Sequence, residues 1–379
     1  MANNNKHTGP NVPALRFPEF SGEWEQCQIK DFGKVITGST PPTSKTEFYD
    51  NGVFLWASPA DLGNVKDVIS TKTKLSQQGF DKCRKIPAHS ILVTCIGSTI
   101  GKMGMATTEM ATNQQINSII PIDCSPDYVY YSIQSRFPKY ITSIATQAVP
   151  ILSKSVFESL DSYKTSIEEQ NKIGKLLHLL DERIDAQSKI IEEQETLLKS
   201  LADKLFLQNN HSCQLSELVN IVKGKQLNAD ALSETGDYYV MNGGIMPSGY
   251  YSEYNVPAGA ISISEGGNSC GYVQFNEKPF WSGGHCYSLQ CRTNLVDYKY
   301  IYYYLKTKEA DVMALRIGSG LPNIQKKDIE KFTISYPSLQ LQKQFVKALD
   351  ALSGKIYTEK QLLEKYCQQK NYLLSQMFI

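Results

Sequence analysis

Hydrogen-bonding and basic side chains concentrate in glycine-rich turns that occur at equivalent places in two halves of the chain. Lysine and arginine bind phosphates, whereas asparagine, glutamine, arginine and serine can bond to base edges in the major groove of DNA. Each such residue alone is more often ordinary solvated surface, but their recurrence favours a nucleic-acid surface. The candidate residues are Ser39, Thr40, Lys45, Lys72, Lys74, Ser98, Thr99, Lys102, Gln114, Gln115, Lys154, Lys225, Asn242, Asn268, Ser269, His285, Arg316 and Lys326.

The sequence motifs of common catalytic sites are absent. There is no Walker lysine motif, no G-x-S-x-G elbow and no H-E-x-x-H pair. The glycine-rich run 266–271 is not followed by a strong helix, and a methyltransferase's Asn/Asp-Pro-Pro-aromatic motif is missing. The five histidines show no ligand spacing, and His285 near Cys286 and Cys291 lacks a second ligand cluster for zinc. The sequence therefore predicts a non-catalytic chain without a metal or cofactor of its own.

Composition places the chain among ordinary globular proteins. It has 379 residues, 41% of them hydrophobic, and a net charge of +1, which leaves a local basic face possible. Nine cysteines without a C-x-x-C pair indicate free thiols in a reducing compartment. No apolar run approaches the ~18 residues of a membrane span, and the polar N-terminus does not resemble a signal peptide. We expect a cytoplasmic protein that does not enter a membrane.

The stretch from residue 166 to about 207 has the pattern of a coiled-coil helix. Apolar residues recur at alternating steps of three and four, with charged residues between them and no proline. Such a helix would extend roughly 60 Å and needs a partner to cover its apolar seam. The predicted seam residues are Ile173, Leu177, Leu180, Ile184, Ile191, Leu198, Leu201 and Leu205.

The partner is predicted near the end of the sequence. Moving each seam position forward by 172 residues gives a second stretch, mostly apolar, in the same rhythm. The globular regions repeat as well, since residues 27–38 align with 213–224 and residues 87–101 align with 257–271. The seam residues of the second helix are Phe345, Leu349, Leu352, Ile356, Leu363, Tyr366, Leu373 and Met377.

These features predict an α+β protein with two strand-rich domains separated by a long antiparallel two-helix coiled coil, related by an internal pseudo-two-fold repeat. The predicted boundaries are 1–165 and 209–337 for the domains, and 166–208 and 338–379 for the helices. Strands are expected at 53–56, 90–94 and 116–122, and short helices at 31–36 and 127–135. No βαβ alternation is visible, so a doubly wound parallel sheet is not expected.

Two groups of residues allow alternative interpretations. Gln170, Gln187 and Gln194 lie in the seam register, where they either fix the pairing of the helices or mark solvated seam ends. The tyrosines between residues 298 and 304 could stack on bases, although packing on their own domain is favoured.

Taken together, the chain resembles the specificity (S) subunit of type I restriction–modification enzymes over essentially its full length. The similar segments are Leu15-Arg16-Phe17-Pro18 with Phe20 and Trp24, the turn Gly38-Ser39-Thr40-Pro41, the helix entry 166–173 continuing to Leu180, Asp181 and Ile184, and the terminal Met377-Phe378. The domain–helix–domain–helix repeat is more specific than any one segment. The entry to the second helix, Leu339-Gln340-Leu341-Gln342, departs from the family's usual Gln-Glu-Gln type.

The resemblance implies a division of labour between subunits. In that family each globular unit is a target recognition domain for one half of a split double-stranded DNA target, and the helices set the gap and dock two modification (methyltransferase) subunits. Restriction (translocase/nuclease) subunits complete the complex. S-adenosylmethionine, ATP and Mg²⁺ are expected in those partner subunits, with no catalytic residue here. Because the loops of the two domains differ, the target should be asymmetric, and self-oligomerisation is not expected.

Two alternatives from other classes are a fragment of a fused DNA methyltransferase and a two-headed coiled-coil adaptor that binds proteins. Binding of S-adenosylmethionine by the chain alone would indicate the first. A salt-dependent, sequence-selective shift of duplex DNA would argue against the second.

If the helices set the spacing, inserting one heptad at matching positions in both should lengthen the unspecified gap of the target and leave both half-sites unchanged. Mapping methylated adenines in cells that express the variant measures both quantities. Altered half-sites with an unchanged gap would refute the role of the helices as a spacer.

Overall fold

The computed structural model describes residues 11–63, 65–144, 151–207, 211–318 and 320–379. The chain divides into two compact units, Met1–Lys189 with Gln361–Ile379, and Ile190–Lys360. Each unit contains one strand-rich domain, the beginning of one long helix and the end of the other. The mixed α+β character predicted from the sequence is confirmed.

The first domain consists of two mixed sheets and a two-stranded ribbon. Their orders are β2-β10-β7-β8-β4, β5-β3-β9-β6 and β1-β11. The strands are β1 (Glu25–Gln28), β2 (Gly33–Thr37), β3 (Phe54–Ala57), β4 (Asp67–Val68), β5 (Thr73–Leu75), β6 (Lys85–Ile86), β7 (Ile91–Thr94), β8 (Met103–Ala106), β9 (Met110–Thr112), β10 (Ile116–Pro121) and β11 (Asp161–Lys164). The helices are α1 (Gln77–Asp81), α2 (Pro126–Ile144), α3 (Lys154–Glu158) and the long α4 (Ile167–Phe206), with 3₁₀ turns at Ile29–Phe32, Thr46–Phe48 and Pro59–Asp61.

The second domain repeats this plan with fewer strands. Its sheets have the orders β13-β19-β16-β17, β15-β14-β18 and β12-β20. The strands are β12 (His211–Gln214), β13 (Val219–Lys223), β14 (Tyr238–Met241), β15 (Tyr250–Tyr251), β16 (Ala260–Ser264), β17 (Val273–Asn276), β18 (Trp281–Ser282), β19 (Cys286–Cys291) and β20 (Thr333–Tyr336). The helices are α5 (Leu215–Leu218), α6 (Tyr298–Thr307), α7 (Glu309–Ala314), α8 (Lys326–Glu330) and the long α9 (Leu339–Gln376), with a 3₁₀ turn at Ala229–Ala231.

The predicted strands and the helix at 127–135 correspond to β3, β7, β10 and α2, but the helix predicted at 31–36 is wrong. A single 3₁₀ turn ends at Phe32, and the chain continues as β2, which pairs antiparallel with β10. Gly33 allows β2 to lie this close to β10, because a Cβ at residue 33 would lie 2.0 Å from the carbonyl oxygen of Ile120. Pairing with a distant strand overrides the local preference.

Both long helices begin with the same glutamine contact. The Gln170 side chain accepts a hydrogen bond from Ser125 N (3.1 Å) and donates to Thr165 O (2.7 Å). Gln342 likewise accepts from Asp297 N (2.8 Å) and donates to Pro337 O (2.8 Å). Gln170 is therefore neither a solvated seam end nor a register device between helices. It fixes the first turn of α4 on its own domain.

The other two seam glutamines are also withdrawn from solvent. Gln187 is buried, which excludes the solvated interpretation for this residue, and Gln194 is half-buried with its Oε1 withdrawn from solvent.

The helix ends supply aromatic residues to the two cores. Phe378 packs against Trp24 and Tyr128, with ring centroids 6.2 and 5.6 Å away. Phe206, the last residue of α4, packs against Tyr300 and Tyr304 at 5.4 and 5.3 Å. Each helix thus starts on one domain core and ends in the other.

The predicted seam residues are withdrawn from solvent along both helices. Those buried are Ile173, Leu177, Leu180, Ile191, Phe345, Leu349, Ile356 and Met377, and those half-buried are Ile184, Leu198, Leu201, Leu205, Leu352, Leu363, Tyr366 and Leu373. The outermost positions do not pack between helices alone, since Ile173, Leu177 and Met377 belong to the core of the first domain, and Phe345 and Leu349 to the core of the second.

Polar contacts between the helices show that they run antiparallel. Lys370 forms a salt bridge with Asp181 (2.5 Å), and the Arg183 guanidinium lies 5.5 Å from the Tyr366 ring centroid. Within the second unit, Lys360 pairs with Glu195 at 2.6 Å. The residue numbers of the contacts on α9 fall from 370 to 360 as those on α4 rise from 181 to 195, as antiparallel pairing requires.

Two glycines in these helices should respond oppositely to alanine. At Gly174 a Cβ would lie 2.8 Å from Asp127 Cβ, whereas at Gly354 nothing lies within 4 Å. We expect Gly354→Ala to raise the free energy of unfolding by about 0.5–1 kcal/mol through helix propensity. Gly174→Ala should lower it by about 1–2 kcal/mol, because overpacking outweighs the same propensity gain. Urea unfolding followed by circular dichroism measures both, and stabilisation by both substitutions would contradict the close packing at Gly174.

Candidate nucleic-acid interface

The polar turns of the second domain surround one cavity of about 610 Å³. Its walls come from the end of β13, the turns after β14 and β16, the turn before β19 and the loop before α8, so five separate segments meet there. Of the predicted residues, Asn242 and His285 line it, together with Lys223, Glu265 and Asn323. Sequence reasoning therefore found part of a real cluster, but Glu265 was not among the predicted residues.

Backbone hydrogen bonds hold these turns in place. Glu265 N donates to His285 O (2.9 Å), and Ile324 N donates to Glu265 O (2.8 Å). Asn242 Oδ1 accepts from His285 N at 3.0 Å, so this side chain is part of the support. Hydrogen bonds within the protein therefore connect the turns that carry the cluster.

The first domain uses the same framework at the corresponding positions. Cys95 N donates to Gln115 O (2.8 Å), and Leu152 N donates to Cys95 O (2.8 Å). The equivalent carbonyls Ser39 O and Lys225 O each accept from an indole N–H, that of Trp56 on β3 (3.0 Å) and that of Trp281 on the non-equivalent strand β18 (2.9 Å). The two domains therefore present their turns in the same way.

Close backbone contact explains the glycine that follows β2 and β13. A Cβ on Gly38 would lie 2.1 Å from Asn113 O, and one on Gly224 would lie 2.1 Å from Gly283 O. Only glycine allows these neighbouring turns to touch.

In the first domain the structure brings Thr40 and Gln114 together. Thr40 Oγ1 donates to Gln114 Oε1, and both residues are exposed. Ser39 is engaged in the fold, since its hydroxyl accepts from Arg84 N at 3.0 Å. Gln115 is half-buried and exchanges hydrogen bonds with Asn113 (2.9 and 3.1 Å), which also gives it a supporting role.

The predicted lysines are mostly exposed. Lys72, Lys74 and Lys225 have solvent-exposed side chains. Lys45 lies 3.9 Å from Glu47. The equivalent residues Lys154 and Lys326 each lie near the glutamate one helical turn later, at 3.5 Å from Glu158 and 3.6 Å from Glu330. Such exposed pairs add little to stability.

The remaining candidates divide between the turns and another cavity. Ser98, Thr99, Asn268 and Ser269 lie in the equivalent turns after β7 and β16, and Arg316 is exposed beyond α7. Lys102 instead lines a separate cavity of about 570 Å³ with residues of α4 and α9. Lys102 is therefore not part of the cluster of turns.

The tyrosines of α6 serve the core. Tyr300 OH donates to Ser335 O (2.9 Å), and Tyr303 OH donates to Asp350 Oδ1 (2.7 Å). The first domain has the equivalent bond from Tyr128 OH to Tyr163 O at 2.9 Å. Stacking of this group on bases is not supported.

The cysteines carry free thiols. None of the nine is in a disulfide in the structure, and burial raises the pKa of Cys95 to about 12 and that of Cys286 to about 11, which keeps both thiols protonated.

Among the described residues, no group of three or more His, Cys, Asp or Glu side chains is placed to hold a metal ion. Within the same residues, none of the helices has the length and hydropathy needed to cross a membrane.

The strand-rich framework occurs twice in the chain. Each copy carries polar turns and continues into one of the two long helices. This arrangement defines a protein with two recognition surfaces. The type I restriction modification DNA specificity domain matches residues 21–196 and again 209–365. The chain belongs to this family. That confirms the predicted class of DNA specificity subunit, and neither alternative class is supported.

Individual relatives agree with this assignment. The MjaIX specificity subunit of Methanocaldococcus jannaschii is 30% identical over 191 residues, which cover 48% of this chain and 43% of that protein. A putative type I specificity subunit of Mycoplasma genitalium is 23% identical over 75% of this chain and 79% of its own length. The crystal structure of a type I S subunit from M. genitalium has the same fold, with a TM-score of 0.71 at 20% identity over 97% of this chain and 99% of that one.

Proposed function

We propose that this chain is the DNA sequence-recognition subunit of a type I restriction–modification complex, in which each domain recognises one half of a bipartite, asymmetric target. The observation that carries the proposal is the repeated framework of turns with different side chains. A shared framework places both domains on DNA in the same manner, and different side chains then select different bases. Phosphate contacts from the exposed lysines would position each domain.

The catalytic steps belong to other subunits in this proposal. Modification subunits would bind S-adenosylmethionine and methylate adenine, and restriction subunits would use ATP and Mg²⁺. This chain would supply target selection and docking in the cytoplasm, where the complex meets DNA.

The direct test is to express the chain with the products of its neighbouring genes and to map methylated adenines. We expect one bipartite, non-palindromic motif. Replacing both Thr40 and Gln114 by alanine should change one half-site only, because these exposed, hydrogen-bonded side chains lie in the first domain. Thr108→Ala is the matched control, since Thr108 is exposed in the turn at the opposite end of β9. A motif without two separate halves would refute the proposal.

Docking of modification subunits is supported by apolar residues on the outside of α4. Leu176, Leu179, Ile190 and Leu197 are 37%, 51%, 41% and 57% exposed. Leu176, Ile190 and Leu197 recur at multiples of seven residues, which places them on one face of the helix. Exposed apolar side chains in such a row are typical of an interaction surface. The outer face of this helix is thus less purely charged than the sequence pattern indicated.

Replacing Leu176 and Leu179 by arginine should remove co-purification of the modification subunits, because the substitutions place charge on this face without touching a core. Leu295→Arg, at a 64% exposed leucine in a loop of the second domain, is the control. Pull-down of the tagged chain followed by quantification of the bound subunits gives the result. Unchanged recovery with the double variant would exclude this part of α4 as a docking face.

A further inference from the structure

Glu265 is a buried carboxylate at the end of β16, in the cluster of turns of the second domain. It is only 8% exposed. Its Oε1 accepts hydrogen bonds from Lys223 Nζ (2.6 Å) and Tyr287 OH (3.0 Å). Burial, and then the hydrogen bond to Glu265, raise the pKa of Tyr287, so that its hydroxyl stays protonated and donates. One carboxylate oxygen is therefore fully engaged.

The second oxygen is not. Among the described residues, Glu265 Oε2 has no hydrogen-bond partner; His285 Nδ1 lies 3.6 Å away, which is within ion-pair distance but beyond hydrogen-bond distance. A buried acceptor without a donor is unfavourable, and such groups in native proteins call for an explanation. A donor that arrives with a ligand would supply one.

The surroundings of this oxygen restrict the ligand. Glu265 lines the cavity of about 610 Å³, whose other polar walls include Asn242, His285 and Asn323. The His285 side chain is 62% exposed, so it can rotate away from Glu265 with little loss of packing. A phosphate would be repelled by the carboxylate. A neutral N–H donor fits, and in the major groove of DNA the amino group of cytosine is the usual partner of a glutamate.

The first domain has no equivalent group. The backbone bond from Glu265 N to His285 O corresponds to that from Cys95 N to Gln115 O, so Cys95 occupies the position of Glu265. In the strand pairs, Thr37 faces Asn117 where Lys223 faces Tyr287. The framework is shared, whereas the residues of the first domain that correspond to Glu265, Lys223 and Tyr287 carry no charge.

We propose that Glu265 is a specificity-determining residue of the second domain, whose Oε2 accepts a hydrogen bond from the exocyclic amino group of a cytosine in the major groove. This inference rests on the proposed function, because it assigns one base contact to a domain taken to recognise a half-site. Lys223 and Tyr287 hold the carboxylate in position, and His285 moves aside as the base enters.

The first test uses the unaltered protein. Complexes of the chain with its modification subunits are titrated with duplexes in which each cytosine of the second half-site is replaced in turn by 2-pyrimidinone, which lacks the amino group. One position should weaken binding about 5- to 150-fold, the range expected for a specific base contact. Unchanged affinity at every position, or a second half-site without a G·C pair, would overturn the inference.

The second test uses Glu265→Gln with Glu277→Gln as the matched control, because Glu277 is exposed just after β17. Methylation mapping should show relaxed selection at one position of the second half-site for Glu265→Gln, with the first half-site and the gap unchanged. The control should keep the original motif. If Glu265→Gln selects the same bases as the unaltered chain, Glu265 has no role in specificity.

The outcomes separate the inference from the proposed function. A bipartite motif that is indifferent to Glu265 and to every cytosine amino group refutes the inference alone. Absence of a bipartite motif with the unaltered chain refutes the proposed function. If Glu265→Gln abolishes all methylation through loss of folding, the titration with modified DNA decides, since it needs no variant.

Discussion

Each long helix is held at both ends by a hydrophobic core, and the rest of the structure depends on this. Helix α4 begins against the core of the first domain through Ile173 and Leu177, and its last residue, Phe206, is buried in the core of the second. Helix α9 packs its first turns against the second core through Phe345 and Leu349, and Phe378, just beyond its end, lies in the first core. Antiparallel pairing follows, because each helix must leave the domain in which the other ends.

Polar contacts define where these helices start. The side chains of Gln170 and Gln342 each bridge the first helical turn to a backbone N–H and a carbonyl of the adjoining domain. Both amides are buried, and a buried amide that lost its partners would cost about 1–3 kcal/mol. The contact therefore fixes helix and domain relative to each other, which is a requirement for a surface that recognises a sequence.

The two domains keep one framework and vary what it carries. Gly38 and Gly224 allow the same close contact of neighbouring turns. The backbone N–H and C=O of Cys95 form hydrogen bonds equivalent to those of Glu265. Since backbone geometry positions the turns, side chains can change without loss of the fold. A neutral thiol in one domain and a charged network in the other are the clearest difference between the two surfaces.

The sequence by itself determined the repeat, the two long helices and the residues of their seam. The repeat of the helices depends on periodicity and on an offset of 172 residues, and the repeat of the domains on offsets of 186 and 170 residues, all of which can be read from the order of residues along the chain. Periodicity also placed Gln170 in the seam register of the helix, but it did not show which groups Gln170 contacts. Only the tertiary structure decided that Ser39, Gln115 and Asn242 support the turns, and that Lys102 lies elsewhere. It alone revealed Glu265, because Lys223 and Tyr287 stand 42 and 22 residues from it in the chain and meet only when β13, β16 and β19 pair.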